Sequence, residues 1–99
     1  MPEPTFDRHG YPTEETLATI EQWPYSDLVG LMKFCAEAWQ DYGSWTAEGN
    51  AISCSTGGWS GNECIIGALR NNIVAWSRLW VSAERGGHFV FELPEVKNA

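Results

Sequence analysis

Basic residues are scarce in this sequence. Six Lys and Arg side chains stand against thirteen Asp and Glu, and the formal net charge is −7. A protein with this charge is repelled by phosphate backbones and by anionic membrane surfaces. The composition therefore argues against direct nucleic-acid binding and against a membrane partner. An acidic surface does suit a basic protein partner, although acidity also serves plain solubility.

Long apolar runs are missing too. No apolar stretch approaches the roughly 20 residues that a membrane-spanning helix needs. The N-terminal residues Met1-Pro2-Glu3-Pro4 contain neither the basic region nor the apolar run of a signal peptide. We therefore expect a soluble, cytoplasmic protein.

Paired cysteines are also absent. The three cysteines, Cys35, Cys54 and Cys64, are odd in number, and their spacing matches no metal-binding signature. The Cys-x-x-Cys pair of a zinc site is missing, so we expect no metal and no cofactor. Cys35 lies among apolar residues at helical spacing and is interpreted as a core residue.

A nucleophile–base pair is the one enzymatic arrangement that these residue types suggest. Cys54 or Cys64 could attack a substrate with His88 as the base, and Cys64 falls in the first turn of a predicted helix, where a thiolate is stabilised. A buried thiol also explains both cysteines. Because no catalytic context surrounds them, we name no catalytic residue and favour a binding protein over an enzyme.

Apolar and aromatic residues, by contrast, are plentiful. The chain of 99 residues is 43% hydrophobic and contains six Trp, three Tyr and four Phe. This length suits one hydrophobic core, and the composition argues against global disorder. Three prolines in residues 1–12 indicate an extended N-terminal arm. We predict a single compact domain over 13–94 and a C-terminal tail over 95–99.

Two helices are predicted in the first half of the chain. Thr13, followed by two glutamates, is typical of a helix start, and Pro24 ends that helix, which spans about 13–23. A second helix is predicted over about 26–42, with Gly43 as its stop. It depends on apolar residues that recur every three or four positions: Leu28, Leu31, Met32, Cys35, Trp39 and Tyr42.

The most unusual segment is Ser55-Thr56-Gly57-Gly58-Trp59-Ser60-Gly61-Asn62-Glu63. It is too rich in glycine for a strand and is interpreted as a strand-to-helix turn that exposes backbone N–H groups. Ser60 and Glu63 have the spacing of a capping box, in which each side chain accepts the backbone N–H of the other residue. We therefore predict a third helix over about 61–71.

The sheet is predicted from three strands. A strand over about 51–56 leads into the glycine-rich turn. Residues 73–85 fit both a helix and a strand, but Gly86-Gly87 is the two-residue connection of a tight hairpin. We therefore favour strands over about 74–85 and 87–92, which places Arg85 opposite His88, and we leave 44–50 as a loop. The predicted fold class is α+β, with three helices packed on a small, mainly antiparallel sheet.

Two motifs carry a resemblance to known proteins. Thr56-Gly57-Gly58-Trp59-Ser60-Gly61-Asn62-Glu63 and, after a Trp-rich segment, Arg85-Gly86-Gly87-His88-Phe89 resemble a family of small proteins of unassigned function from tailed bacteriophages. Pro12-Thr13-Glu14-Glu15-Thr16-Leu17 is also typical of that family, and the resemblance covers roughly residues 11–93. It implies a phage origin and a role in the infected cell or in the particle. It implies no catalytic residue, and by association it points to inhibitors or modifiers of host machinery, host defence included.

The glycine-rich turn suggests an anion-binding site. A strand that runs through Gly57-Gly58 into a helix aims backbone N–H groups and the positive end of the helix dipole at one point. The hairpin residues Arg85 and His88 would strengthen the site if they faced the same shallow pocket. The segment is neither a Walker loop nor the dinucleotide fingerprint, and glycines that only let Trp59 pack would explain it structurally. The residues of this hypothesis are Thr56, Gly57, Gly58, Trp59, Ser60, Asn62, Arg85 and His88.

The tryptophans suggest a protein interface. Six of them exceed what a small core easily hides, because Trp is seldom fully buried. Aromatic residues and Arg are the usual anchors of interfaces, so we predict a protein partner, although most of the tryptophans could also line the core. A strand at 87–92 that lies at the sheet edge could also pair with a second copy in a homo-oligomer. The predicted interface residues are Trp45, Trp59, Trp76 and Trp80.

We therefore expect a small accessory protein that binds a host or phage protein. The alternative is a small-ligand, nucleotide or anion binder that uses the turn at 55–63 with the Arg85–His88 hairpin.

Overall fold

A computed structural model describes residues 3–94 of the chain. The predicted tail at 95–99 and the first two residues of the predicted arm lie outside the described residues. The α+β fold class is confirmed. The elements are α1 (Glu14–Gln22), α2 (Leu28–Ala38), β1 (Ser44–Glu48), β2 (Ala51–Ser55), α3 (Ser60–Asn71), α4 (Ile73–Leu79), β3 (Trp80–Glu84) and β4 (His88–Glu92).

The four strands form one antiparallel sheet in the order β1-β2-β4-β3. β4 is therefore an inner strand, with β2 on one side and β3 on the other. The prediction that 87–92 is an open edge is wrong, because β2 occupies the side that a second copy would have used. Within residues 3–94, the edges of the sheet are β1 and β3.

The segment 44–50, predicted as a loop, contains β1 and the hairpin turn to β2. Glu48 pairs with Ala51, so Gly49 and Asn50 form a two-residue turn. Gly49 has a φ of 61°, as the first central residue of a type II′ turn requires. Ala and Glu are poor strand formers, and pairing with β2 overrides their local preference.

Residues 74–85 do not form one long strand. They contain most of α4 and all of β3, which gives four helices among the described residues instead of the predicted three. Asn72 caps α4, because its Oδ1 accepts the N–H of Ala75 at 3.4 Å. Its Nδ2 donates to the carbonyls of Ile20 at 3.0 Å and Trp23 at 3.1 Å. These long-range bonds anchor the start of α4 to the end of α1. The local sequence of 73–85 cannot show this contact.

The hairpin between β3 and β4 has a longer turn than expected. Glu84, not Arg85, pairs with His88, so the turn contains three residues, including Gly86 and Gly87. Both glycines have positive φ, at 86° and 76°. The carbonyl of Gly87 accepts the N–H of Thr56 at 3.0 Å, which ties the turn to the end of β2.

Two helix ends also differ from the prediction. Thr13 caps α1 as predicted, by accepting the N–H of Thr16. The capping box at Ser60 and Glu63 does not form, because the N-cap residue of α3 is Trp59 and no side chain caps this end. The Ser60 hydroxyl instead lies 2.9 Å from the hydroxyl of Tyr11.

α2 ends at Ala38, well before the predicted residue 42. Tyr42, predicted on its inner stripe, is 69% exposed. The cause is Asn62, whose side chain bonds both the N–H and the carbonyl of Gln40 and holds that residue outside the helix.

All four helices cover one face of the sheet. Ile52, Cys54 and Phe91 on this face are buried in one core with residues of every helix. Strand alternation places polar residues on the other face, which we call the open face. The open face carries Ser44, Thr46, Ser53, Ser55, Ser82, Glu84, His88 and Val90, all exposed or half-buried.

None of the helices in residues 3–94 is long and apolar enough to cross a membrane.

Candidate functional site

The glycine-rich turn and the hairpin do touch, as the anion-site hypothesis required. Besides the Thr56–Gly87 backbone bond, the buried Thr56 hydroxyl accepts the N–H of Gly58 at 3.3 Å. A Cβ atom on Gly87 would collide with that hydroxyl. The glycine-rich turn and the β3–β4 turn are therefore packed against each other, and we call this contact the junction. Its polar groups are already partly hydrogen-bonded within the protein.

Gly57 has a structural explanation that the sequence alone did not show. Its φ is 64°, and a Cβ atom there would collide with the carbonyl of Tyr42. A Cβ on Gly43 would in turn collide with the carbonyl of Ser55. Glycine at 43 and 57 is therefore required because two backbone segments cross in van der Waals contact.

Asn62 is fully buried and is not available to a ligand. Its Oδ1 accepts the N–H of Gln40 at 3.0 Å, and its Nδ2 donates to the carbonyls of Gln40 and Thr56, each at 3.3 Å. These three bonds join α3, the glycine-rich turn and the segment after α2. Its role is to hold the junction, because an unpaired amide there would be costly.

Two tyrosines contact Trp59. The ring centroids of Tyr11 and Tyr42 are each 5.0 Å from the Trp59 ring, in tilted contacts. Together with the Tyr11–Ser60 hydrogen bond, the contact with Tyr11 holds the N-terminal arm against the start of α3. The ring of Trp59 therefore packs against aromatic rings of the chain itself.

Arg85 and His88 lie apart from the depression between the turn and α3. Arg85 is exposed in the hairpin turn, and His88 lies on the open face, in one cross-strand row with Ser55 and Glu84. The depression itself, of about 220 Å³, has Arg70 and Glu63 as its charged residues. Among the described residues that line the depression, one carboxylate offsets one cation, which leaves little net attraction for an anion. The lining residues are Thr56, Glu63, Ile66, Gly67, Arg70, Gly87 and Phe89.

The cysteines do not form the suggested catalytic pair. Cys54 points into the core, whereas His88 lies on the open face, because they occupy opposite-facing positions of paired strands. Burial raises the pKa of the Cys54 thiol to about 12, so it is not a thiolate at neutral pH. Burial, and secondarily Cys54, also raise the pKa of Cys35. Cys64 is exposed on α3, across the sheet from His88. Among the described residues, no cluster of three or more His, Cys, Asp or Glu could hold a metal ion.

The four predicted interface tryptophans lie in three separate places. Trp45 is half-buried on β1, and Trp59 contacts Tyr11 and Tyr42. Trp76 and Trp80 are neighbours, with stacked rings 6.2 Å apart, and the Arg70 guanidinium lies 5.2 Å from the centre of the Trp76 ring. Trp80 is the most exposed of the four, at 45%.

Several exposed apolar side chains lie close in sequence to Trp80. Ile73 is 75% exposed and Val81 is 50% exposed, and Val74 is also exposed. Arg78 lies 5.7 Å from the ring centre of exposed Tyr25, which brings that ring to α4. The prediction of one strand over 74–85 did not anticipate this surface, because Ile73 and Val74 belong to α4 whereas Trp80 and Val81 begin β3. We call Tyr25, Ile73, Val74, Trp80 and Val81 the apolar patch.

No family model, curated protein or solved structure matches the chain.

Proposed function

We propose that the protein acts by binding a protein partner through the apolar patch. The observation that supports this proposal is the concentration of four exposed large apolar side chains in the nine residues from Ile73 to Val81. Exposed apolar side chains that cluster mark interaction surfaces more often than single ones do.

The chemistry of the patch fits a protein partner. Trp80 offers a large rigid ring at low entropic cost, and aromatic residues are common anchors of interfaces. Arg70 and Arg78 lie against aromatic rings beside it and add positive charge to an otherwise acidic protein. A partner with an apolar centre and acidic residues around it would match this arrangement.

The resemblance to phage proteins gives the proposal a setting. It would place the partner, a host or phage protein, in the cytoplasm of an infected bacterium, and the proposed effect is inhibition of host machinery or defence. The family assignment itself stays a prediction.

An anion-binding function remains the second candidate. It is favoured by one observation, the contact of the glycine-rich turn with the hairpin beside Arg70. Glu63 in the same depression weakens it, so the protein-binding function takes precedence.

A comparison of capture experiments tests the proposed interface. Tagged wild-type protein, Ile73→Asp and Val81→Asp are expressed in infected and uninfected cells, and captured proteins are quantified by mass spectrometry. Asn50→Asp is the matched control, because it adds the same charge at an exposed site in the turn between β1 and β2. We expect one partner that the wild type and Asn50→Asp retain and that both patch variants lose by about tenfold or more.

All variants must first show wild-type circular dichroism. If folded patch variants capture the same proteins in the same amounts as the wild type, the patch is not the interface.

A further inference from the structure

Strand β1 is an edge strand without the usual protection. All five of its residues pair in regular register with β2, and within residues 3–94 nothing pairs with its other side. It has no proline, lysine or bulge, which are among the devices that block strand addition, and its one charged residue, Glu48, is at its end. The other edge strand, β3, does have a bulge between Trp80 and Ser82. The backbone groups along β1 are therefore the ones open to an added strand.

An apolar groove runs beside this edge. The helix layer stops short of β1, because Ala47 points toward the helices and is nevertheless exposed. The groove has a volume of about 450 Å³. One wall is α2, with Val29, Met32 and Ala36, and the floor includes Trp45 and Ala47 of β1.

Lys33 is the one charged residue that lines the groove in the described part of the chain. It lies on the α2 wall and is exposed. A carboxylate on the occupant would find an opposite charge there, in a protein that is otherwise acidic.

We propose that β1 binds an extended segment of a partner protein, which adds a fifth strand to the sheet. Alternate side chains of the segment would be apolar and enter the groove, and one acidic side chain would reach Lys33. The remaining side chains would continue the hydroxyl-rich open face. Backbone bonds to an edge supply affinity in such complexes, and pockets for alternate side chains supply selectivity.

This site differs from the apolar patch, since Trp80 and Val81 of the patch lie on β3, at the opposite edge of the sheet from β1. The two proposals therefore fail independently. Ile73→Asp leaves binding at β1 unchanged, and Lys33→Glu leaves capture through the apolar patch unchanged.

The test uses fluorescein-labelled octapeptides in which Thr alternates with Val, Leu, Ile or Phe and one end carries Asp. Each peptide is also made in two N-methylated forms. One form blocks the N–H groups along one edge of the extended peptide, and the other form blocks those along its opposite edge. Binding is measured by fluorescence anisotropy. We expect at least one peptide to bind, one of its N-methylated forms to bind as well, and the other to lose binding by roughly tenfold or more.

Amide hydrogen exchange locates the binding mode. We expect the probe to slow exchange in residues 44–48, since an added strand would bond those backbone groups. Lys33→Glu should weaken binding of the acidic probe roughly fivefold. Arg8→Glu, an equal charge change on the N-terminal arm, should leave that binding unchanged.

Three results would overturn the proposal. In the first, no peptide of the panel binds. In the second, the two N-methylated forms bind equally or β1 amides exchange at an unchanged rate when the probe saturates the protein. In the third, sedimentation shows a dimer that Ala47→Asp dissociates, which would assign the groove to a second copy of this chain.

Discussion

Gly87 shows how much of the junction depends on one missing side chain. Its carbonyl bonds Thr56, its φ is 76°, and the Thr56 hydroxyl occupies the space of a Cβ atom. A substitution would strain the backbone and also displace a buried side chain.

We predict that Gly87→Ala lowers the free energy of unfolding by about 3–4 kcal/mol, because backbone strain and overpacking add. Gly86→Ala is the control, since it has positive φ but only ordinary contact with the His88 ring at 3.5 Å. Gly86→Ala should lower the free energy of unfolding by about 1–2 kcal/mol. Urea unfolding followed by fluorescence measures both, and equal losses would contradict the role given to Thr56.

The hydrogen-bond partners of single residues in the glycine-rich turn do not follow from the sequence. Ser60 and Glu63 match a capping box, yet Tyr11, far away in sequence, bonds the Ser60 hydroxyl. In the sequence, Asn62 fits a donor to a ligand equally well, but in the structure most of its hydrogen bonds are made with the backbone of Gln40. A polar side chain reveals its type in sequence, whereas its partner depends on which segment folds against it.

The boundary between α4 and β3 illustrates the same limit for elements. The apolar residues of 73–85 fit both the period of a strand, which is two, and that of a helix, which is near 3.6. Periodicity therefore could not distinguish the two structures. Ala75 and Leu79, four residues apart, are buried, and Asn72 anchors the helix start to α1. The helix forms because these long-range contacts favour it.

We predict that Asn72→Ala lowers the free energy of unfolding by about 2–3 kcal/mol, because α4 loses its cap and two buried carbonyls lose their donor. Asn71→Ala removes one exposed hydrogen bond to Glu21 and should cost about 0.5 kcal/mol or less. Thermal or urea unfolding gives the two values. Faster amide exchange in α4 should accompany only the first change. If Asn71→Ala were as harmful as Asn72→Ala, the cap would not be what holds α4.

Across the whole molecule, the six tryptophans divide by exposure. Trp23 and Trp39 are buried, three are half-buried, and Trp80 is exposed. The helices cover one face of the sheet, and Trp80 lies at the β3 edge of that covered layer, where α4 ends.

We predict that acrylamide quenches one tryptophan component strongly and that Trp80→Phe removes this component. Acrylamide is neutral, so the net charge of −7 does not bias its access. Trp23→Phe is the control and should leave the strongly quenched component in place. If the wild type shows no accessible component, the proposed patch loses its central residue.

The sequence by itself determined the α+β class, the approximate extents of α1, α3 and β2, the Thr13 cap and the burial of Cys35. These follow from local periodicity, helix signals and composition, which act over a few residues. Tertiary structure alone decided that β1 forms, that β4 lies inside the sheet, and that 73–79 is helical. It also decided that Thr56, Asn62 and Gly87 hold a junction, and that an apolar patch and a groove stay uncovered. Each of these depends on contacts between segments distant in sequence, and such pairing is not encoded in any short stretch of the chain.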